Sequence, residues 1–183
     1  MPMAGKGTRL SGYNSYPKPL VDVLGKTIVQ WSIETLKLNG NYIFCCKKEH
    51  MEEYQIDKKL KKIIPNSKII SIDYQTRGTV ESILEARDLI DNDEELIISD
   101  TDHYLIWNSS FFNKEIRKKE IDGCVMVFPE PYNSKKASYV KINDEGYVTE
   151  SAEKKPISKI ATVGLHYFKK GSDFVKYADE MIE

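Results

Sequence analysis

The chain has no excess of positive charge: 27 Lys and Arg stand against 28 Asp and Glu, for a formal charge of −1. A surface without a basic surplus is not built around a nucleic-acid backbone, whose binding rests on neutralised phosphates. Long apolar runs are lacking too, and none approaches the roughly 20 residues that a membrane span needs. Met1 is followed by Pro2 and soon by Gly5 and Lys6, a start that does not match the apolar h-region of a signal peptide. Neither nucleic acid nor a membrane is therefore an expected partner. Cysteine is scarce as well. Cys45 and Cys46 are adjacent on a strand-like run and point to opposite faces, which makes them poor partners on one metal. With Cys124 they read as free thiols in a reducing cytoplasm.

What is present is an ordinary globular composition: 183 residues, 40% hydrophobic and 30% charged, enough for one domain with a sizeable core. Residues 42–46, 68–72 and 96–99 are short runs of β-formers, suited to buried parallel strands. Between them Ile28, Trp31, Thr35 and Leu38, and then Val80, Ile83, Leu84, Arg87 and Ile90, fall at helical spacing. Trp31 and Trp107 read as packing residues. Residues 50–64 form a further helical stretch whose Lys58, Lys59, Lys61 and Lys62 mark a solvated face. Alternating strands and helices predict an α/β layered sheet. Beyond Asp122 come a strand at 123–128 and a hairpin, 139–142 with 147–150, about Asn143-Asp144-Glu145-Gly146. A last strand at 161–168 leads to a helix from about Ser172. One domain over residues 1–183 is the expectation.

The strongest chemical signal is Ala4-Gly5-Lys6-Gly7-Thr8-Arg9-Leu10, followed by Pro17-Lys18-Pro19. Glycines around a lysine let backbone amides approach a phosphate closely. Lys6 and Arg9 add charge, Thr8 adds a hydroxyl, and Lys18 is aimed by a restricted backbone on both sides.

Together these residues resemble the signature of the sugar-phosphate nucleotidyltransferases. Gln75-Thr76-Arg77-Gly78-Thr79 resembles that family's base-reading segment, Asp100-Thr101-Asp102 its metal site, Glu153-Lys154-Lys155-Pro156 its sugar-phosphate motif, and Val163-Gly164-Leu165 its late strand beside the sugar. The resemblance implies a three-layer Rossmann-like fold with a mostly parallel central sheet, similar to that of metal-dependent glycosyltransferases. It implies an NTP and a phosphorylated small metabolite as partners, with Mg²⁺ as cofactor. It assigns Ala4, Gly5, Lys6, Gly7, Thr8, Gln75, Gly78 and Thr79 to the nucleotide. Arg9, Lys18 and Asp102 are its catalytic set, and Glu153, Lys154 and Gly164 its acceptor contacts.

Asp100 and Asp102 also stand on their own chemistry. They follow a buried strand, and open α/β sheets bind ligands at the carboxyl ends of their strands. Mg²⁺ takes one or two carboxylates and keeps its remaining ligands for water and phosphate. The resemblance favours Asp102 as the ligand, with Asp100 sharing the metal, bonding a ribose or orienting Lys18. The bland alternative is two acidic residues ending a strand. His103 reads as structural or as a phosphate contact, and His50 and His166 have no zinc-spaced partner. Thr79 also fits a simple helix N-cap.

Two rival functions share these residues. Asp100-Thr101-Asp102 is an Asp-x-Asp triplet of the kind nucleotide-sugar-dependent glycosyltransferases use, but the 5–9 loop and Lys18 suit a triphosphate. A non-catalytic domain of the same fold would have no need of Arg9, Lys18 and Asp102. The sequence departs from the family at both ends. Only Met1-Pro2-Met3 precede the loop where a buried strand is expected, and no second metal-binding Asp is evident near the end. The expectation is a domain lacking its first strand and C-terminal part, with self-association through an open sheet edge.

Overall fold

The computed structural model describes residues 1–5 and 16–182. A 3₁₀ turn, Lys18–Leu20, follows Pro17 and contains Pro19. A small hairpin follows, β1 (Asp22–Val23) and β2 (Lys26–Thr27), closed by Leu24 and Gly25, both with positive φ. Helix α1 (Ile28–Leu36) starts where the Thr27 side chain accepts from the Gln30 amide, and stops at Lys37 in the left-handed region. Strand β3 (Ile43–Lys47) and strand β4 (Lys68–Ile72) pair in parallel. The connection between them is α2 (Lys48–Tyr54) and α3 (Ile56–Ile63). The continuous helix expected over 50–64 is thus broken. Gln55 adopts φ +52°, ending one helix and opening the next.

Helices α4 (Thr79–Leu84) and α5 (Arg87–Ile90) then lead to β5 (Leu96–Ser99). Helix α6 (Ser109–Glu115) precedes β6 (Gly123–Pro129), β7 (Ser138–Ile142), β8 (Val148–Glu153) and β9 (Ile160–Phe168), and α7 (Gly171–Ile182) follows. Strand β9 pairs antiparallel with β5, β6 and β7, and β7 pairs antiparallel with β8.

The sheets are therefore mixed, and the mostly parallel arrangement expected from the sequence holds only for the first part. The reason lies in the connections. Short links such as the 143–147 turn, where Gly146 sits at φ +90° and its amide donates to the Asn143 carbonyl, join only antiparallel strands.

The core has two faces that meet at β3. Cys45 packs with Ile72, Ile83, Ile98 and Phe174, while its neighbour Cys46 packs with Val29, Ile33, Ile56 and Leu60. Strand alternation thus sends one apolar set to α4, α5 and α7 and the other to α1 and α3, giving three layers. Each large apolar side chain buried this way contributes about 1.5–3 kcal/mol. Both thiols are free, and burial pushes that of Cys46 up to about 12. Residues 1–4 run beside β3: Pro2 bridges Cys45 in parallel, and Met3 and Ala4 are buried. Residues 1–4 thus form a short stub beside β3, ahead of the glycine loop. Among the described residues no helix is long and apolar enough to cross a membrane.

Candidate active site

The site gathers at the carboxyl end of β5, where the chain leaves the sheet as Asp100-Thr101-Asp102-His103. The backbone N–H of Asp100 donates to the Gly164 carbonyl of β9 at 3.0 Å. Its own carbonyl accepts from the Ser32 hydroxyl at 3.2 Å and the Ser99 hydroxyl at 3.1 Å. Thr35, one turn further along α1, accepts from the Leu105 amide at 3.2 Å, and its carbonyl accepts from the Trp107 indole at 3.0 Å. Helix α1 therefore braces the whole 100–107 segment. Sequence reading missed Ser32; its signal was a serine among the buried positions Val29, Ile33 and Leu36.

Gly164 lies at φ +81°, and a Cβ there would collide with the Asp100 carboxylate and come within 3.0 Å of His103 Cε1. The glycine is thus a cradle for both side chains. Burial pushes the Asp100 carboxyl above its ordinary range and the Asp102 charge adds to this, while His103 and Lys18 pull it back. From the 3₁₀ turn, the Lys18 ammonium reaches across to the Asp102 carboxylate. Among the described residues, Asp100, Asp102 and His103 are the one group able to offer a metal three ligand atoms, all within 4.8 Å of one another. Two carboxylate oxygens and an imidazole nitrogen, in a pocket kept open by a glycine, fit a divalent cation.

The structure thus brings Lys18, Asp100, Asp102 and Gly164 together, and adds His103. Ala4 is buried at the end of the stub beside β3, and Gly5 follows it, exposed. Lys6, Gly7, Thr8 and Arg9 lie outside the described residues. Gln75, Gly78 and Thr79 are exposed beyond the end of β4; Gly78 takes the N-cap position that the sequence left open to Thr79. Thr76 and Ser82, whose hydroxyls bond at 2.7 Å, pin this segment onto α4. A cavity of ≈ 560 Å³ at the carboxyl ends of β3 and β4 is lined by Gln75 with Lys47, Lys48 and Glu52. Glu153 ends β8, two strands across from β9, Lys154 follows it, and the two side chains pair at 2.6 Å.

Trp31 is not a core residue. It is half-buried, donates its indole N–H to the Val23 carbonyl at 2.7 Å, and faces the Tyr104 ring at 5.6 Å between centroids. Trp107 does pack, against Phe112 at 5.4 Å.

The three-layer α/β fold thus carries acidic residues at a strand's carboxyl end, where open α/β sheets bind ligands, and one of them is salt-bridged to a lysine held between prolines. Comparison with known proteins agrees. The sequence model described as nucleotidyl transferase matches residues 3–181, and the chain belongs to that family. It is 27% identical over 180 residues to the bifunctional protein GlmU of Methanocaldococcus jannaschii, spanning 91% of this chain but only 38% of that relative. Among solved structures, a nucleoside-diphosphate-sugar pyrophosphorylase from Vibrio cholerae matches with a TM-score of 0.78 at 18% identity, covering 99% of this chain and 76% of that one. The inositol-1-phosphate CTP transferase of T. maritima matches with a TM-score of 0.75 at 15% identity, covering 95% and 70%.

Proposed function

We propose that this chain transfers a nucleoside monophosphate from an NTP to a sugar 1-phosphate, or a similarly phosphorylated small metabolite, and releases pyrophosphate. The carrying observation is the convergence of the Lys18 ammonium with Asp100 and Asp102 at the carboxyl end of β5, cradled by Gly164. The buried free thiols support a reducing, cytoplasmic setting.

The chemistry requires no general base, because the acceptor phosphate is already anionic. One of its oxygens forms a bond to the α-phosphorus while the bond to the β-phosphate bridge breaks, and the electron pair leaves with pyrophosphate. The obstacle is the approach of like charges, which positioning and fixed positive charge overcome. Asp102 and Asp100, with His103 beside them, would hold the cation, Mg²⁺ in this reading. When bound, that ion supplies charge neutralisation to the phosphates.

Lys18 exchanges Asp102 for the α-phosphate and the incoming phosphate as substrates enter. Ala4, Gly5, Lys6, Gly7 and Thr8 form the triphosphate loop, and Arg9 meets the leaving pyrophosphate. Gln75, Gly78 and Thr79 read the base; Glu153, Lys154 and Gly164 line the acceptor side. The test is pyrophosphate release with each NTP against a panel of phosphorylated acceptors, products being identified by mass spectrometry. Turnover of a nucleotide sugar, with no pyrophosphate from any NTP, would replace this reading with a glycosyltransferase.

A further inference from the structure

The cavity of ≈ 560 Å³ at the carboxyl ends of β3 and β4 has a lining that the site residues named so far do not explain. Ile72, the last residue of β4, is buried and gives it an apolar surface. Tyr74 adds an aromatic ring that is 45% exposed. The Tyr74 hydroxyl donates to the Glu85 carboxylate at 2.6 Å, so the ring is held and its polar end is already spent. The remaining lining is charged. Lys47 ends β3 with its ammonium on Glu49 at 3.1 Å, and its side chain keeps only 15% of its exposure. Lys48 opens α2, Glu52 stands one turn further on, and Asp73 directly follows β4.

A held ring beside an apolar surface suits a flat aromatic ligand, since stacking on a tyrosine requires only a π-face. The charged groups then discriminate among such ligands. A lysine ammonium only donates hydrogen bonds, and an ionised carboxylate only accepts them. Guanine carries two acceptors, O6 and N7, on one edge, and alone among the bases it sets two donor groups, N1–H and N2–H₂, side by side. Adenine places its N6 amino donor beside N7, where a lysine finds only one acceptor. Cytosine and uracil have no pair of adjacent donors for a carboxylate to bridge.

We propose that this cavity is a guanine site, with the base stacked on Tyr74, O6 and N7 facing Lys47 and Lys48, and N1–H and N2–H₂ facing the carboxylates of Glu52 and Asp73. Gln75 lines the same cavity and joins it to the segment that leads into α4. The inference rests on the transfer reading above, because it makes GTP the nucleotide donor of that reaction. Discrimination of this kind follows from unpaired polar groups: a wrong base leaves a desolvated lysine or carboxylate without its partner.

The experiment is calorimetric titration of the chain with GTP, ITP, ATP, CTP and UTP in the presence of Mg²⁺ and without any acceptor. GTP is expected to bind about 10–100-fold more tightly than ATP, CTP or UTP. ITP lacks only the N2 amino group and is expected to bind about 10-fold more weakly than GTP. In the double variant Glu52→Gln with Asp73→Asn, GTP and ITP should bind equally; in Lys47→Met with Lys48→Met, GTP should weaken by about 10-fold or more. Tighter binding of another NTP, equal binding of GTP and ITP by the unaltered chain, or a preference for GTP over ITP that survives in the carboxylate variant would overturn the proposal. Pyrophosphate assays separate it from the reading on which it rests. Guanine-selective binding with no pyrophosphate from any NTP keeps this site and removes the transfer reading; pyrophosphate from an NTP other than GTP alone does the opposite.

Discussion

Asp100 and Gly164 are joined twice: the Asp100 amide donates to the Gly164 carbonyl at 3.0 Å, and the Asp100 carboxylate fills the space a Cβ at 164 would need. The left-handed backbone of Gly164 would also strain any L side chain. Gly164→Ala should cost about 1–3 kcal/mol of stability. Because the displaced groups are Asp100 and His103, divalent-cation affinity should fall by about 10–100-fold as well. Thermal melting together with titration of Mn²⁺ followed by EPR measures both. An alanine variant with unchanged metal affinity would remove Gly164 from the site.

The carboxylates themselves give a sharper contrast. Asp102→Asn removes the charge that Lys18 pairs with and should abolish turnover with the fold intact by circular dichroism. Asp100→Asn should reduce turnover less. Full activity in the Asp102 variant, or activity that survives EDTA, would defeat the metal assignment.

Lys18→Ala removes positive charge where it builds up in the transition state and should lower kcat by on the order of 10²-fold or more. Arg9→Ala should do the same, and Arg9→Lys should not restore the rate, since the planar fork is lost. Steady-state pyrophosphate release reads all three. Near-normal rates would reduce the 5–9 loop and the 3₁₀ turn to structural features.

Much of this architecture was legible because its signals are local. The runs at 68–72 and 96–99 became β4 and β5 with those same limits, since short β-forming runs buried in a sheet have little other use. The opposite faces of Cys45 and Cys46 followed from strand geometry and hold in the core. What escaped was set by tertiary context. Nothing in the pattern of 50–64 marks Gln55 as the break, because a positive φ at glutamine is imposed by packing rather than by propensity. Trp31 looked like core by spacing, but it sits on the flank of α1 that meets the β1–β2 hairpin and Tyr104. The Asp pair was visible; its bracing by Ser32 and Thr35 was not, since a helix hydroxyl shows its partner only once the 100–107 segment lies across it.

The buried amino terminus makes stability depend on pH in a window that few other groups share. In the unfolded chain the Met1 ammonium titrates near 8.0, and in the folded chain burial holds its pKa lower. Between those two values the unfolded state binds more protons, so stability rises as pH increases toward 8 and then levels off. His50 and His166, also pushed down by burial, act with the same sign, but their window closes at their ordinary value of 6.5. Urea midpoints at about pH 6.5, 7.5 and 8.5 should therefore climb for the 183-residue chain. The same chain acetylated at Met1 loses this contribution and should climb less, since His50 and His166 act only near 6.5 and the thiols, pushed up by burial, lower the midpoint toward the alkaline end. A midpoint that stays level in the free chain, or that climbs equally after acetylation, would mean that the Met1 nitrogen is solvated and does not donate to the Ile43 carbonyl, 2.7 Å away.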